Sequence, residues 1–193
     1  MPNWCFNQTT IYGEKKMLEK FKTDLINSLS ENPKFEKVEN DWGNMWLGNI
    51  FLGAGYEKKD FGNTIRCRGG VDDYVINEDN IQIQYETAWC DICSSIDKML
   101  EEKYGGELHQ VTLAVEIDNE FYLNTDKEKK YYKTEYCITT DEKIFDGEDK
   151  YFDSKEELLN FFNTRLKENF TTIEEIEDWL SDFEGYCNLH YFQ

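Results

Sequence analysis

An α+β fold is predicted, and three observations predict it. Runs rich in β-formers, alternating where clearest, mark strands at 4–12, 81–86 and 111–117. Apolar residues spaced by three and four mark helices at 14–29 and 91–104. Beyond residue 126 the chain turns strongly acidic and shows two helix-start signatures. The order strand, helix, one or two strands, strand, helix, strand is that of a ferredoxin-like antiparallel sheet with two helices on one face. The expected domains are residues 1–126, the ferredoxin-like part, and 127–193, a β-hairpin with a two-helix acidic addition.

Each element has its own signals. Gly13 closes the first strand, and Leu18, Phe21, Leu25 and Leu29 then form one apolar stripe that Asn32–Pro33 ends. Asp41–Trp42–Gly43–Asn44 reads as a turn. The apolar run 45–52, broken by Gly48, Gly53 and Gly55, and the segment 64–68, followed by Gly69–Gly70, read as strands. Ile81, Ile83 and Tyr85 alternate with Gln82, Gln84 and Glu86, the pattern of a half-buried strand. In the second helix Ile92, Ile96, Met99 and Leu100 share a face, and Gly105–Gly106 is a C-cap signal. Val111, Leu113, Val115 and Ile117 alternate again, and Asp118–Asn119 turns the chain into 121–123. A hairpin is expected from 131–139, a turn at Asp141–Glu142, and Ile144–Phe145. Ser154 with Glu157, and Thr172 with Glu175, are capping boxes that start helices with the inward faces Leu158, Leu159, Phe162, Leu166, Phe170 and Ile173, Ile176, Leu180, Phe183. Residues 186–192 read as a last strand.

Composition excludes several classes of function. Aromatic residues make up 16% of the 193, too many for a disordered chain despite 32% charge. No apolar run approaches the roughly 20 residues of a membrane span, and residues 1–10 lack a signal-peptide core, so the host cytoplasm is the expected compartment and no membrane partner is expected. With three arginines and a pI near 4.4, direct duplex DNA binding is not expected. Arg66 and Arg68 beside Lys58 and Lys59 are the single candidate basic patch. No phosphate loop, nucleophile elbow or zinc-protease motif occurs, and His109 and His190 stand apart in sequence, so no catalytic residue and no enzyme activity is expected.

Six cysteines stand at 5, 67, 90, 93, 137 and 187. Cys90 and Cys93 form a CxxC at a helix start, where a thiol pKa can fall. A zinc site would need two more ligands at suitable spacing, and the sequence offers no second CxxC. Reduced thiols, no metal and no cofactor are therefore expected. A small metal or redox protein using Cys90 and Cys93 is an alternative.

Met1–Pro2–Asn3–Trp4–Cys5–Phe6–Asn7 resembles the opening motif of the YubB ferredoxin-like domain family, carried by phages, plasmids and other mobile elements. Tyr85–Glu86–Thr87–Ala88–Trp89 resembles that family's strand leading into the second helix, although Cys90–Asp91–Ile92–Cys93 replaces the Pro-rich turn usual there. The likeness covers residues 1 to about 125. It implies a ferredoxin-like fold and a mobile-element setting, and carries no catalytic residues. Trp4 and Trp89 are read as covering a core edge, with a binding pocket between them as the alternative, and Asn3 and Asn7 as turn caps.

The negative charge is uneven. Residues 1–140 hold 25 acids and 16 bases, whereas residues 141–184 hold 15 acids and 5 bases. Glu156, Glu157, Glu174 and Glu175 suit first helical turns. Asp178 and Asp182 are like charges at i,i+4, Asp182 and Glu184 lie toward the wrong helix end, and Asp146, Glu148 and Asp149 crowd one turn. Placements that cost stability point to a surface kept negative for a basic partner, with simple solvation as the alternative. Asp146, Glu148, Asp149, Asp178, Asp182 and Glu184 are therefore the candidate partner-binding residues. Joined to the mobile-element resemblance, they give the expected function: an acidic anti-defence protein that inhibits a restriction or CRISPR nuclease by occupying its basic groove. A non-catalytic phage or plasmid interaction module of another role is the alternative.

Overall fold

The computed structural model describes residues 2–62, 65 and 67–193, and the chain divides into two compact units, Met1–Phe121 and Tyr122–Gln193. In the first unit, β1 (Trp4–Gly13) lies between β3 (Asn80–Ala88) and β4 (Leu108–Glu116), antiparallel to both. β2 (Gly69–Ile76) lies on the far side of β3, so the order in this unit is β2–β3–β1–β4, and β5 (Phe121–Asn124), the next strand in the chain, begins at the boundary between the units. The first four strands thus have the order of a ferredoxin-like sandwich.

Strand alternation sets the two faces. Register pairs Ile11 with Ile81, Thr9 with Ile83 and Asn7 with Tyr85, so these six side chains share one face. Helices α1 (Lys15–Ser28) and α3 (Cys93–Tyr104) cover that face with Leu18, Phe21, Leu25 and with Ile96, Met99, Leu100, Tyr104, all in one core. The two helices also touch each other: the Phe21 and Tyr104 rings meet edge-on at 5.3 Å, and the Tyr104 hydroxyl donates to Asp24 at 2.9 Å. Each large apolar side chain buried here contributes about 1.5–3 kcal/mol. Gly105 ends α3 at φ 71°, as its C-cap signal predicts.

One expectation for residues 45–76 needs correction. The run 45–52 is not a strand: it forms a 3₁₀ turn and then a short helix, α2 (Gly48–Gly53), which buries Ile50 and Phe51 in the same core. A short continuous apolar run has no period to separate the two states. Gly69–Gly70 opens β2, a strand that the sequence reading does not mark. A Cβ on Gly69 would lie 1.8 Å from the Glu86 carbonyl oxygen, and one on Gly70 2.5 Å from the Trp42 ring, so glycine is what lets the chain close on β3. Of the strand expected at 64–68, Thr64 and Arg66 lie outside the described residues, and Ile65 makes an isolated bridge with Phe61.

The second unit has a three-stranded antiparallel sheet, with β6 (Tyr136–Thr140) between β7 (Lys150–Phe152) and β8 (Cys187–Tyr191). Helices α4 (Lys155–Leu166) and α5 (Ile173–Ser181) complete its core of Ile138, Phe145, Phe152, Leu158, Phe162, Ile173 and Ile176. Ile144–Phe145 is not the return strand of the hairpin. It lies in a 3₁₀ turn, and 150–152 pairs with β6 instead. The Thr172–Glu175 box closes in both directions. At α4, Ser154 accepts from the Glu157 N–H, but the Glu157 carboxylate reaches the Asp153 N–H, one residue earlier than a capping box requires.

A buried carboxylate holds the loop after β5. Asp126 is 5% exposed and accepts the N–H groups of Tyr131 at 2.6 Å and Tyr132 at 3.0 Å. Burial alone would raise its pKa, but these donors, with those of Lys130 and Glu128, outweigh it and hold the carboxyl below its ordinary value. A depressed carboxylate stabilises the fold above the unfolded-state value of about 3.9, and that stability is lost as pH falls through the lower folded value. Asp126→Ala is expected to cost about 2 kcal/mol at pH 7, in the range for hydrogen bonds to charged groups. Urea unfolding at pH 7 and pH 3 checks it: the difference between variant and wild type should shrink at the lower pH.

Candidate functional site

The six candidate acids do not form one set. Asp146 sits at φ 72° after the 3₁₀ turn, and its carboxylate accepts from Arg165 at 2.5 Å and pairs with Lys150 at 3.2 Å. Asp149 accepts the Thr140 N–H at 3.1 Å, which ties the turn before β7 back to β6. These two hold local structure. Glu148, Asp178, Asp182 and Glu184 are exposed and have no ion-pair partner among the described residues.

Helix geometry extends the second set. Residues four apart stack on one face about 6 Å apart along the axis. Glu174, Asp178 and Asp182 therefore line up along α5, with Glu175 and Glu177 beside them, and all five are exposed. No Lys or Arg lies within α5. Glu175 is committed to the cap, and Glu177 accepts the Tyr191 hydroxyl at 2.6 Å. Glu174 is held below its ordinary carboxyl value by its own N–H and by the Thr172 hydroxyl. Sequence reasoning set Glu174 aside as a first-turn acid. Its i,i+4 relation to Asp178 was the signal that it belongs to the stripe.

A second feature lies in the first unit, where β3 runs into α3. A cleft of about 650 Å³ is lined by Ile65, Arg68, Trp89, Cys90, Asp91 and Ser95, among others. Trp89 has φ 71°, a left-handed conformation costly for a bulky residue, and its N–H donates to the Asn3 carbonyl at 2.9 Å. The Arg68 guanidinium lies 5.5 Å from the Trp89 ring centroid. Trp4 and Trp89 do not cover a core edge: they are 40% and 53% exposed, and Trp4 meets Trp42 edge-on at 6.1 Å. Nor does Asn7 cap a turn. It is fully buried in β1, and its amide donates to the Cys5 carbonyl, the Tyr85 carbonyl and the Thr87 hydroxyl.

The thiols are of two kinds. Cys90 is exposed. Burial pushes Cys93 up to about 12, with Asp91 adding to the rise, and it likewise pushes Cys5 and Cys67 to about 12. The helix start therefore does not activate Cys93, because burial and a neighbouring carboxylate outweigh the helix end. Among the described residues no three His, Cys, Asp or Glu side chains group as metal ligands. His109 is exposed on β4. His190 is buried in the second unit, stacked on Tyr122 at 4.3 Å and bonded to the Thr139 hydroxyl at 2.9 Å. Of the candidate basic patch, Arg66 lies outside the described residues and Lys59 pairs with Glu57 at 2.7 Å.

No helix among the described residues is long and apolar enough to cross a membrane. Comparison with known protein families, curated proteins and solved structures finds no match to this chain.

Proposed function

We propose that this chain is an acidic, non-catalytic binding protein that inhibits a nucleic-acid-degrading defence enzyme of a bacterial host, acting in the host cytoplasm by occupying the enzyme's basic groove. The observation that carries the reading is α5 with its C-cap Asp182, which together present five exposed carboxylates and no cation. A row of carboxylates about 6 Å apart is a polyanion on a rigid support, and a Lys/Arg channel shaped for phosphates attracts it by the same charge. The resemblance of residues 1–7 and 85–89 to the YubB family of mobile elements supports the setting, since such elements must survive restriction and CRISPR nucleases. Under this reading the partner is a basic protein and duplex DNA is not bound. Redox or metal chemistry at Cys90 and Cys93 draws no support from a thiol that burial keeps protonated.

The test separates carboxylates that face solvent from those that hold structure. A Glu148→Lys, Asp178→Lys, Asp182→Lys, Glu184→Lys variant should keep its fold, because exposed substitutions cost under about 0.5 kcal/mol each. It should lose protection in a nuclease or phage-escape assay in cells carrying a defence system. Wild-type binding should weaken steeply as salt rises, as expected when charges beyond a Debye length of about 8 Å are screened. Equal protection by the folded variant overturns the role of the stripe. Failure of the wild type to protect against a panel of restriction and CRISPR systems overturns the anti-defence reading itself.

A further inference from the structure

We propose that the cleft at the junction of β3 and α3 binds a planar heteroaromatic ligand bearing a negative charge, of the nucleoside monophosphate class, with its ring on Trp89 and its anionic group at Arg68. The cleft shares no residue with the acidic stripe. Its volume of about 650 Å³ falls within the roughly 300–1,000 Å³ of small-molecule sites. Ile65 and Ile92 contribute apolar lining, and Asp91, Ser94 and Ser95 polar lining.

Trp89 is the first argument. Its backbone lies at φ 71°, with its N–H donating to the Asn3 carbonyl, yet the residue is 53% exposed. A bulky residue in that conformation is strained, and one that is half exposed gains little packing in exchange. The arrangement does present a flat aromatic plate to the cleft, which is the element that stacked bases use.

Arg68 is the second. In a chain of 40 acids and 21 bases, its guanidinium has no carboxylate partner among the described residues and lies instead over the Trp89 ring. Asp91, the carboxylate lining the cleft, accepts the Cys93 N–H at 2.8 Å and leaves Arg68 unneutralised. An arginine beside an aromatic plate offers a planar anion a charge and a stacking surface together.

Cys90 supplies the readout, because it lines the cleft and its thiol is exposed. The full chain is labelled with a maleimide, with or without AMP or UMP at millimolar concentration, and the rate at Cys90 is followed by peptide mass spectrometry. The monophosphates should slow labelling. The parent nucleosides and ribose 5-phosphate, each lacking one half of the ligand, should slow it less. Arg68→Gln should abolish the preference for monophosphate over nucleoside. Trp89→Gly, which suits φ 71°, should keep the circular dichroism of the wild type while weakening protection about tenfold, as expected for the loss of one base–aromatic stack. Trp89→Phe, which keeps a ring, should retain most of it. Labelling unchanged by either monophosphate overturns the proposal, as does protection that survives both Arg68→Gln and Trp89→Gly. Protection by ribose 5-phosphate equal to that by AMP removes the aromatic requirement and overturns it too.

Discussion

Phe145→Ala is expected to lower the stability of the second unit by about 3–5 kcal/mol, the range for truncating a fully buried phenylalanine. Phe145 is 0% exposed, and its ring meets those of Phe161, Phe162, Trp179 and Phe183 at centroid distances of 5.3–6.4 Å. It therefore joins α4 to α5 and to the residues just after α5. The unit is small, so a loss of that size is a large fraction of its stability. Ile144→Ala is the control. Its side chain is 43% exposed in the same turn, and its loss should cost under about 1 kcal/mol. Denaturant unfolding of the full chain, followed by tryptophan fluorescence, checks both. A small effect at Phe145 would mean that the aromatic cluster repacks around the vacancy.

Asn7→Ala is expected to cost about 2–4 kcal/mol in the first unit. Asn7 is fully buried at the centre of the sheet, and its amide donates at 2.8 Å to the Cys5 carbonyl and at 2.9 Å to the Thr87 hydroxyl. That hydroxyl in turn donates to the Cys90 carbonyl at 2.6 Å, so one polar chain runs from β1 across β3 to the approach of α3. Truncation removes these bonds, leaves buried polar atoms without partners and opens a void. Asn3→Ala removes only a half-buried side chain, since the bond Asn3 makes to Trp89 uses its backbone carbonyl, and it should be nearly neutral. Thermal unfolding of the two variants separates them. Equal losses would show that the asparagines act through the local conformation of the opening segment and not through the buried amide.

Much of the fold was legible because its signals are local. Alternation at Ile81, Ile83 and Tyr85 and the stripe Leu18, Phe21, Leu25 are periods that one strand or one helix imposes by itself, and both elements stand where those periods place them. The caps at Ser154 and Thr172 are equally local. The residues misread lack a period or take their state from a distant neighbour. The run 45–52 is apolar apart from Gly48 and Asn49, shows no period, and is helical from Gly48 where Ile50 and Phe51 enter the core. Gly69 and Gly70 open a strand that local pattern does not mark, because what demands glycine there is the approach of Glu86 and Trp42. The acidic stripe was half legible, since Asp178 and Asp182 stand out by spacing, whereas the ion pairs that commit Asp146 depend on where Arg165 arrives.

The sequence by itself determined the α+β class, the strands β1, β3 and β4 of the first unit and its two long helices, the acidity of the last third and the absence of a membrane-length apolar run. These follow from residue type and short-range spacing, which need no knowledge of the rest of the chain. Only the tertiary structure decided which carboxylates face water, that burial keeps the Cys93 thiol protonated, that Asn7 is a buried strut, and that Trp89 and Arg68 meet over a cleft. Arg68 and Trp89 are twenty-one positions apart, on opposite sides of the β2–β3 hairpin. Antiparallel pairing, with Gly69 opposite Thr87, brings them together. Solvation, pKa and ring contacts depend on the neighbours in space, and those neighbours are set only when the strands pair and the helices close over them.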